Sequence, residues 1–125
     1  MSLIDNYQKS WALRYIREAK AELTAAQNTP YMASSLILEA VRKAQAAVYY
    51  SLGDPASAEF IVHEALSKKQ PQGDPVLRCL VEIEQTVQLV AITPESERDK
   101  AIKEATDLIH MASEIVKLLT GEKTD

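Results

Sequence analysis

Four dipeptides in this chain place a side chain that can cap a helix directly before a proline: Thr29-Pro30, Asp54-Pro55, Asp74-Pro75 and Thr93-Pro94. Threonine and aspartate at an N-cap accept a hydrogen bond from a free amide of the first turn. Proline suits the first helical position, because the N–H group that it lacks would have no partner there. Proline also keeps the residue before it out of the helical conformation, as a cap requires. The four pairs therefore predict four helix starts, and the segment before them predicts a fifth helix.

The predicted helices cover residues 5–27, 30–52, 55 to about 69, 75 to about 91, and 94–120, and the segment 70–73 is the only long loop. Gly53 and Gly121 follow the second and fifth helices, where a left-handed residue often ends a helix. Apolar residues recur at steps of three and four along each segment. The predicted inward positions are Tyr7, Trp11, Tyr15, Ala19, Leu23 and Ala26; Ala33, Ile37, Ala40, Val41, Ala44 and Val48; Ala58, Ile61, Val62 and Ala65; Val76, Leu80, Val87 and Val90; and Ile102, Ala105, Ile109, Ala112, Val116 and Leu119.

These helices predict an all-α fold in one domain, residues 1–120, followed by a short polar tail, residues 121–125. A chain of 125 residues is long enough for one hydrophobic core. We expect a five-helix bundle with a four-helix, up-and-down-like core: two long N-terminal helices as an antiparallel hairpin, two shorter helices and one long C-terminal helix. The proline pairs are unevenly spaced, which argues against a repeat array.

Composition narrows the possible partners. The formal net charge is -4, so no overall positive field favours nucleic acid. The single cysteine, Cys79, excludes a disulfide framework and a multi-cysteine metal site. No apolar run approaches the ~20 residues of a membrane span, and the first residues lack the pattern of a signal peptide. We therefore expect a cytoplasmic protein that has no membrane partner.

The residues that commonly carry chemistry are few. His63 and Glu59 share a helix face at i and i+4, but a metal site usually recruits at least three ligands. His110 lies opposite the apolar positions of the last helix, and Cys79 is most simply a small buried hydrophobe. Three isolated glycines form no phosphate-binding loop. The sequence thus predicts no catalytic residue, no metal and no cofactor.

Aromatic residues are the more informative group. Tyr7, Trp11 and Tyr15 form a stripe on the first helix, and Tyr49 and Tyr50 end the second, where at least one ring must face away from the core. Large aromatic surfaces are enriched at protein interfaces. Two interpretations stay open: these rings form an interface, or Trp11 and Tyr15 simply fill the core.

The first two predicted helices, WALRYIREAKAELTAA from Trp11 and ASSLILEAVRKAQAAVYY from Ala33, resemble the opening hairpin of HEPN domains, with Lys43 near the middle of the second helix. The resemblance implies a small, usually dimeric helical bundle. Many members of that superfamily are ribonucleases, and others partner a nucleotidyltransferase in toxin–antitoxin pairs. The ribonuclease members share an arginine followed four to six residues later by a histidine, which this chain lacks, so the resemblance implies a non-catalytic member.

Three functional hypotheses follow. The first is a non-catalytic HEPN-like interaction module, a homodimer formed through an aromatic and alanine-rich helix face, which partners a nucleotidyltransferase or binds nucleotide or RNA. The candidate interface residues are Tyr7, Trp11, Tyr15, Tyr49 and Tyr50. The second is a divergent ribonuclease or nucleotide-processing enzyme, in which folding joins His63 to Arg78. The third is a helical scaffold with a peptide-binding groove. Candidates for a polar site are His63, Arg78, Lys43 and Arg42.

Overall fold

The computed structural model describes residues 5–68 and 73–124, and these residues form five α-helices, two short 3-10 segments and no strand. The α-helices are α1 Asn6–Asn28, α2 Ala33–Ser51, α3 Pro55–Lys68, α4 Pro75–Ile92 and α5 Arg98–Thr120; the 3-10 segments are Pro30–Met32 and Glu95–Glu97. The all-α, five-helix bundle expected from the sequence is confirmed. The predicted end of the third helix at residue 69 and the loop at 70–72 lie outside the described residues.

Helix α2 is the centre of the bundle and packs against the other four helices. Helices α1 and α4 each pack on both α2 and α5, and so flank that pair. The end of α2, the start of α4 and the end of α5 meet around Leu52, Val76 and Leu118, whereas Arg98 at the start of α5 donates a hydrogen bond to the Pro30 carbonyl beside the start of α2, at 3.4 Å. Helices α1, α2, α4 and α5 therefore alternate in direction along the chain. Helix α3 connects α2 to α4 and packs on both.

Small residues allow α2 and α5 to lie close together. Ala40, Ala44 and Ala47 of α2 and Ala105 and Ala112 of α5 have no exposed surface. The larger side chains that are fully buried around them are branched aliphatic residues: Ile16, Ile37, Val41, Val48, Val62, Ile83 and Val116. All six inward positions predicted for α2 are buried, as the periodic pattern indicated.

The predicted inward stripe of α1 is wrong in its first half. Ala12 and Ile16 are fully buried, whereas Tyr7 is exposed and Trp11 and Tyr15 are only partly buried. Both sets fit a helical period, but they differ by one residue, or about 100° around the helix. A core of closely spaced, alanine-lined helices has room for Ala12 and Ile16 and no room for three rings.

Three other predicted core positions lie at the surface: Ile61, Val76 and Leu119 are exposed. Val76 lies in the first turn of α4 and Leu119 in the last turn of α5, so these side chains extend beyond the central overlap of the helices. Ala65 and Ile102 are partly buried. Periodicity identifies one face of a helix, but it does not show how far along the helix a neighbour covers that face.

The aspartate–proline pairs start α-helices as predicted, and the threonine–proline pairs do not. Asp74 Oδ1 accepts from the Val76 amide at 2.9 Å, and Asp54 Oδ1 accepts from the Ala56 amide at 3.2 Å. The Thr29 side chain caps nothing, and the Thr93 hydroxyl donates back to the Leu89 carbonyl at 2.7 Å. A 3-10 segment follows each threonine pair, so the α-helices begin later, at Ala33 and Arg98.

The remaining helix ends agree with the sequence. Asp5 caps α1 and forms a capping box with Gln8: each side chain accepts from the other's amide, at 3.0 and 3.2 Å. Gly53 and Gly121 have positive φ angles of 115° and 74°. After Gly121 the chain folds back, and the Lys20 ammonium donates to the Thr124 carbonyl at 2.8 Å.

Candidate functional site

Four rings form one continuous cluster on the outer side of the α1–α2 hairpin. We call Tyr7, Trp11, Tyr15 and Tyr50 the aromatic surface. The Trp11 ring centre lies 5.4 Å from Tyr15, 6.3 Å from Tyr50 and 6.4 Å from Tyr7. Tyr7 is 65% exposed, and the other three rings are partly buried. The predicted aromatic stripe is therefore a surface feature joined by Tyr50.

A charged group extends the aromatic surface. The Arg14 guanidinium lies 5.0 Å from the centre of the Trp11 ring, in the geometry of a cation–π contact. The same side chain donates to Glu18 Oε2 at 2.7 Å. Arg14 therefore links the rings to the charged residues farther along α1.

Tyr49, the fifth aromatic residue proposed for the interface, lies on another side of α2. It is 6% exposed, and its hydroxyl accepts a hydrogen bond from Gln45 Nε2 at 3.1 Å. Adjacent residues on a helix point about 100° apart, so Tyr50 reaches the aromatic surface while Tyr49 enters the core. The expectation that one of these rings faces away from the core thus applies to Tyr50.

Lys43 lies in a cluster of three carboxylates that joins α1 to α2. Its Nζ is 2.9 Å from Glu18, 2.5 Å from Glu22 and 3.2 Å from Glu39, and we call these four residues the Lys43 cluster. The Lys43 ammonium donates hydrogen bonds to Glu22 and Glu18, and these contacts raise the pKa of Lys43 well above its usual value. Because its ammonium is fully engaged, Lys43 is a structural residue and is not available for an incoming ligand.

The three carboxyl groups of the Lys43 cluster respond differently to their surroundings. Hydrogen bonds from Lys43 and Arg14 lower the pKa of Glu18. Burial raises the pKa of Glu22 despite its contact with Lys43, and one Glu22 oxygen is buried without a hydrogen-bond partner among the described residues. Glu22 is therefore the member whose ionised form is least favoured.

A polar cleft lies between α2, α3 and α4 and has a volume of about 550 Å³. Its polar lining residues are Arg42, Gln45, Tyr49, Glu59, His63, Glu84 and Gln88. The structure thus brings Arg42 and His63 of the predicted polar site to one cavity. Arg78 is exposed on α4 and does not line this cleft, so the two residues suggested for an enzyme do not share it.

Hydrogen bonds order the wall of the polar cleft. Gln45 Nε2 donates to the Tyr49 hydroxyl at 3.1 Å and to Glu84 Oε1 at 2.6 Å, while Gln88 Nε2 donates to Glu84 Oε2 at 2.8 Å. Burial, followed by the charges of Glu84 and Glu59, raises the pKa of Tyr49 to about 12. The Tyr49 hydroxyl is therefore neutral at physiological pH.

A second cavity, of about 290 Å³, lies where α2, α4 and α5 end or begin, and nearly all of its lining is apolar. Val48, Leu52, Val76, Leu80, Leu118 and Leu119 are among its lining residues. Cys79 also lines it, and burial raises the pKa of that thiol. Sequence reasoning missed this groove, although Leu118, which lies outside the predicted stripe of α5, is an apolar residue that the helical pattern leaves at the surface.

The histidines do not form a metal centre. Both His63 and His110 are exposed, and no group of three or more histidine, cysteine, aspartate or glutamate residues within 5–68 and 73–124 is arranged to hold a metal ion. In the same part of the chain, no helix is long and apolar enough to cross a membrane.

No protein-family model, curated protein or solved structure matches this chain. The HEPN resemblance therefore stays a prediction, and functional inference depends on the geometry of the aromatic surface and the polar cleft.

Proposed function

We propose that the chain is a non-catalytic, HEPN-like interaction module that forms a homodimer through the aromatic surface. The observation that carries this proposal is the contiguity of Tyr7, Trp11, Tyr15 and Tyr50 on one side of the α1–α2 hairpin. Exposed aromatic clusters are unusual on monomers, and tryptophan, tyrosine and arginine are the residues that dominate binding energy at interfaces.

The charges beside the rings support a second copy of the chain as the partner. Arg14 and Glu39 are exposed on the same side of the hairpin, and Arg42 follows Glu39 on α2. A two-fold axis brings the same patch of each subunit together, so a patch that carries both signs can pair with itself. A uniformly charged patch would repel its copy.

Association through this surface would also complete the burial of the rings. Tyr7 packs edge-on against Trp11 and leaves most of its own surface in water. Burying an aromatic side chain contributes about 1.5–3 kcal/mol, and each subunit would supply one such tyrosine. The partner class implied by the HEPN resemblance, a nucleotidyltransferase, would then bind the dimer on another face.

Light scattering coupled to size-exclusion chromatography tests the homodimer. We expect a mass of twice 13.9 kDa for the wild type and a monomer for Tyr7→Glu, because the two-fold axis would bring two added carboxylates together. The matched control is Tyr31→Glu, since Tyr31 is 84% exposed but lies in the 3-10 segment between α1 and α2; this variant should remain dimeric.

A wild-type protein that is monomeric at several hundred micromolar would refute the homodimer, as would equal effects of the two substitutions. The enzyme hypothesis has its own assay. Cleavage of structured RNA by the wild type that disappears in the His63→Ala, His110→Ala variant would replace the interaction module with a ribonuclease.

A further inference from the structure

The polar cleft has the dimensions of a small-molecule site. Its volume of about 550 Å³ falls within the roughly 300–1,000 Å³ typical of ligand pockets. Ala46, Ala56 and Ala91 line it beside the polar groups, and these short side chains leave the space open. Three helices contribute to its walls, so its shape depends on the packed bundle and not on one loop.

The inner wall offers a hydrogen-bond donor. Gln45 uses Nε2 to reach both the Tyr49 oxygen and Glu84, so Tyr49 acts as acceptor in that contact and keeps its own O–H proton. No described residue accepts that proton. Tyr49 is 6% exposed and lines the cleft, so its hydroxyl can donate a hydrogen bond to a ligand that supplies the missing acceptor.

The same end of the cleft is negative. Glu59 and Glu84 both line it, and their charges add to the effect of burial in raising the pKa of Tyr49. Neither carboxylate forms an ion pair within the described ranges. Two carboxylates that line one cleft attract a cation to it.

Arg42, at the opposite end of the polar cleft, limits the charge that a ligand can carry. Arg42 precedes Tyr49 by seven residues on α2, which is two turns or about 10 Å along the helix axis. It also lines the cleft and makes no ion pair in the part of the chain that the structure describes. Its positive charge disfavours a second cation, so a ligand with one ammonium group and an otherwise neutral, polar body fits best.

We propose that the polar cleft binds a small hydroxylated primary amine, an amino alcohol or amino sugar in chemical class. The ammonium group lies between Glu59 and Glu84. A neighbouring ligand hydroxyl accepts a hydrogen bond from the Tyr49 hydroxyl, and the remaining hydroxyls contact Gln88, His63 and Arg42. Arg42 borders both this cleft and the charged patch beside the aromatic surface, whereas Glu59, Glu84 and Tyr49 line the cleft and are not part of the aromatic surface.

Isothermal titration calorimetry with glucosamine tests the proposal in a buffer that contains no amine. Glucose and N-acetylglucosamine are matched controls, since each retains the sugar ring but lacks the ammonium. One charge-assisted hydrogen bond is worth about 1.5–3 kcal/mol, so glucosamine should bind at least roughly tenfold more tightly than either control. Comparable binding of glucose, or the absence of glucosamine binding at tens of millimolar, would overturn the assignment.

Two carboxamide variants locate the ammonium. Glu59→Gln and Glu84→Gln should each weaken glucosamine binding about tenfold, whereas Glu114→Gln, on an exposed position of α5, should leave it unchanged. Glu59 is exposed, so its variant remains informative if Glu84→Gln disturbs folding. Unchanged affinity in Glu59→Gln would contradict the proposed position of the ammonium.

A negatively charged sugar tests whether the polar cleft prefers cations or anions. Glucose 6-phosphate should bind more weakly than glucosamine, because Glu59 and Glu84 repel an anion. If glucose 6-phosphate binds as tightly as glucosamine, then Arg42 and His63 dominate recognition and the cleft is an anion site, which refutes the proposal.

Discussion

Lys43→Met should destabilise the protein by about 2 kcal/mol. Methionine has a similar unbranched stem and a similar helix propensity, so the substitution removes the ammonium while largely preserving packing. It leaves Glu18, Glu22 and Glu39 close together without the cation that joins them. The destabilisation arises from repulsion among the carboxylates and from the burial of Glu22 without its partner.

The partial exposure of the Lys43 cluster determines how large the destabilisation by Lys43→Met should be. Exposed ion pairs contribute about 0.2–1 kcal/mol, and breaking a fully buried pair costs about 3–5 kcal/mol. The side chains of Lys43 and Glu22 are 23% and 18% exposed, so their contact falls between these limits. For a domain of this length, about 2 kcal/mol lowers the melting temperature by roughly 6–10 °C.

The pH dependence gives a second readout. Burial raises the pKa of Glu22, and a carboxyl whose pKa is higher in the folded protein stabilises the fold when protonated. That contribution is lost as the pH rises through the folded-state pKa. Removing Lys43 raises the pKa of Glu22 further, so the variant should lose less stability at pH 5 than at pH 7.

Urea denaturation at both pH values measures these differences. The matched control is Lys103→Met, because Lys103 pairs with Asp107 on the exposed side of α5, at 3.0 Å. It should leave the free energy of unfolding nearly unchanged. The reasoning fails if the two lysine variants lose similar stability, or if Lys43→Met loses the same amount at pH 5 and pH 7.

Two further predictions concern single residues. Asp74→Ala should reduce stability by about 1 kcal/mol, because it removes the cap on the Val76 amide. Thr93→Ala should cost clearly less, because the Thr93 hydroxyl donates to the Leu89 carbonyl and caps no helix start. Equal losses of stability in thermal unfolding would contradict this difference. Cys79 should react with iodoacetamide more slowly than glutathione does at pH 8, because burial raises the pKa of its thiol. Unfolding in 8 M urea should abolish this difference in rate. Fast alkylation of the folded protein would show that the thiol is accessible and ionised, contrary to this prediction.

Helix α2 connects all of the proposed sites. Its alanines line the core, Tyr50 and Lys43 contact α1, and Gln45 and Tyr49 line the polar cleft. Because α2 packs against the other four helices, it holds these groups in fixed relation. Substitutions on one side of α2 can therefore be tested against the other sites as internal controls.

The sequence predicted the helix count because the signals for helix starts and ends are local. Asp74 caps its own next turn, and Gly121 adopts a positive φ angle that glycine takes without strain. The threonine–proline pairs failed as caps for an equally local reason. The Thr93 hydroxyl found an acceptor in the preceding helix, a competing contact that the dipeptide alone does not reveal.

The candidate sites were only partly predictable. The stripe of Tyr7, Trp11 and Tyr15 was visible in the sequence, but its position at the edge of the core was not, because α1 has two apolar faces that differ by about 100°. His63 and Arg42 were named as polar candidates, yet their common cleft depends on how α3 packs against α2 and α4. Periodicity does not specify which helices are neighbours.

The sequence by itself thus determined the fold class, the five helices and the buried face of α2, because capping, glycine geometry and helical period act within a few residues. Only the tertiary structure decided that Tyr49 is buried while Tyr50 joins the aromatic surface, that Lys43 is held by three carboxylates, and that Glu59 and Glu84 line one cleft. Those arrangements join residues far apart in the chain. They depend on the close approach of particular helices, which no local pattern encodes.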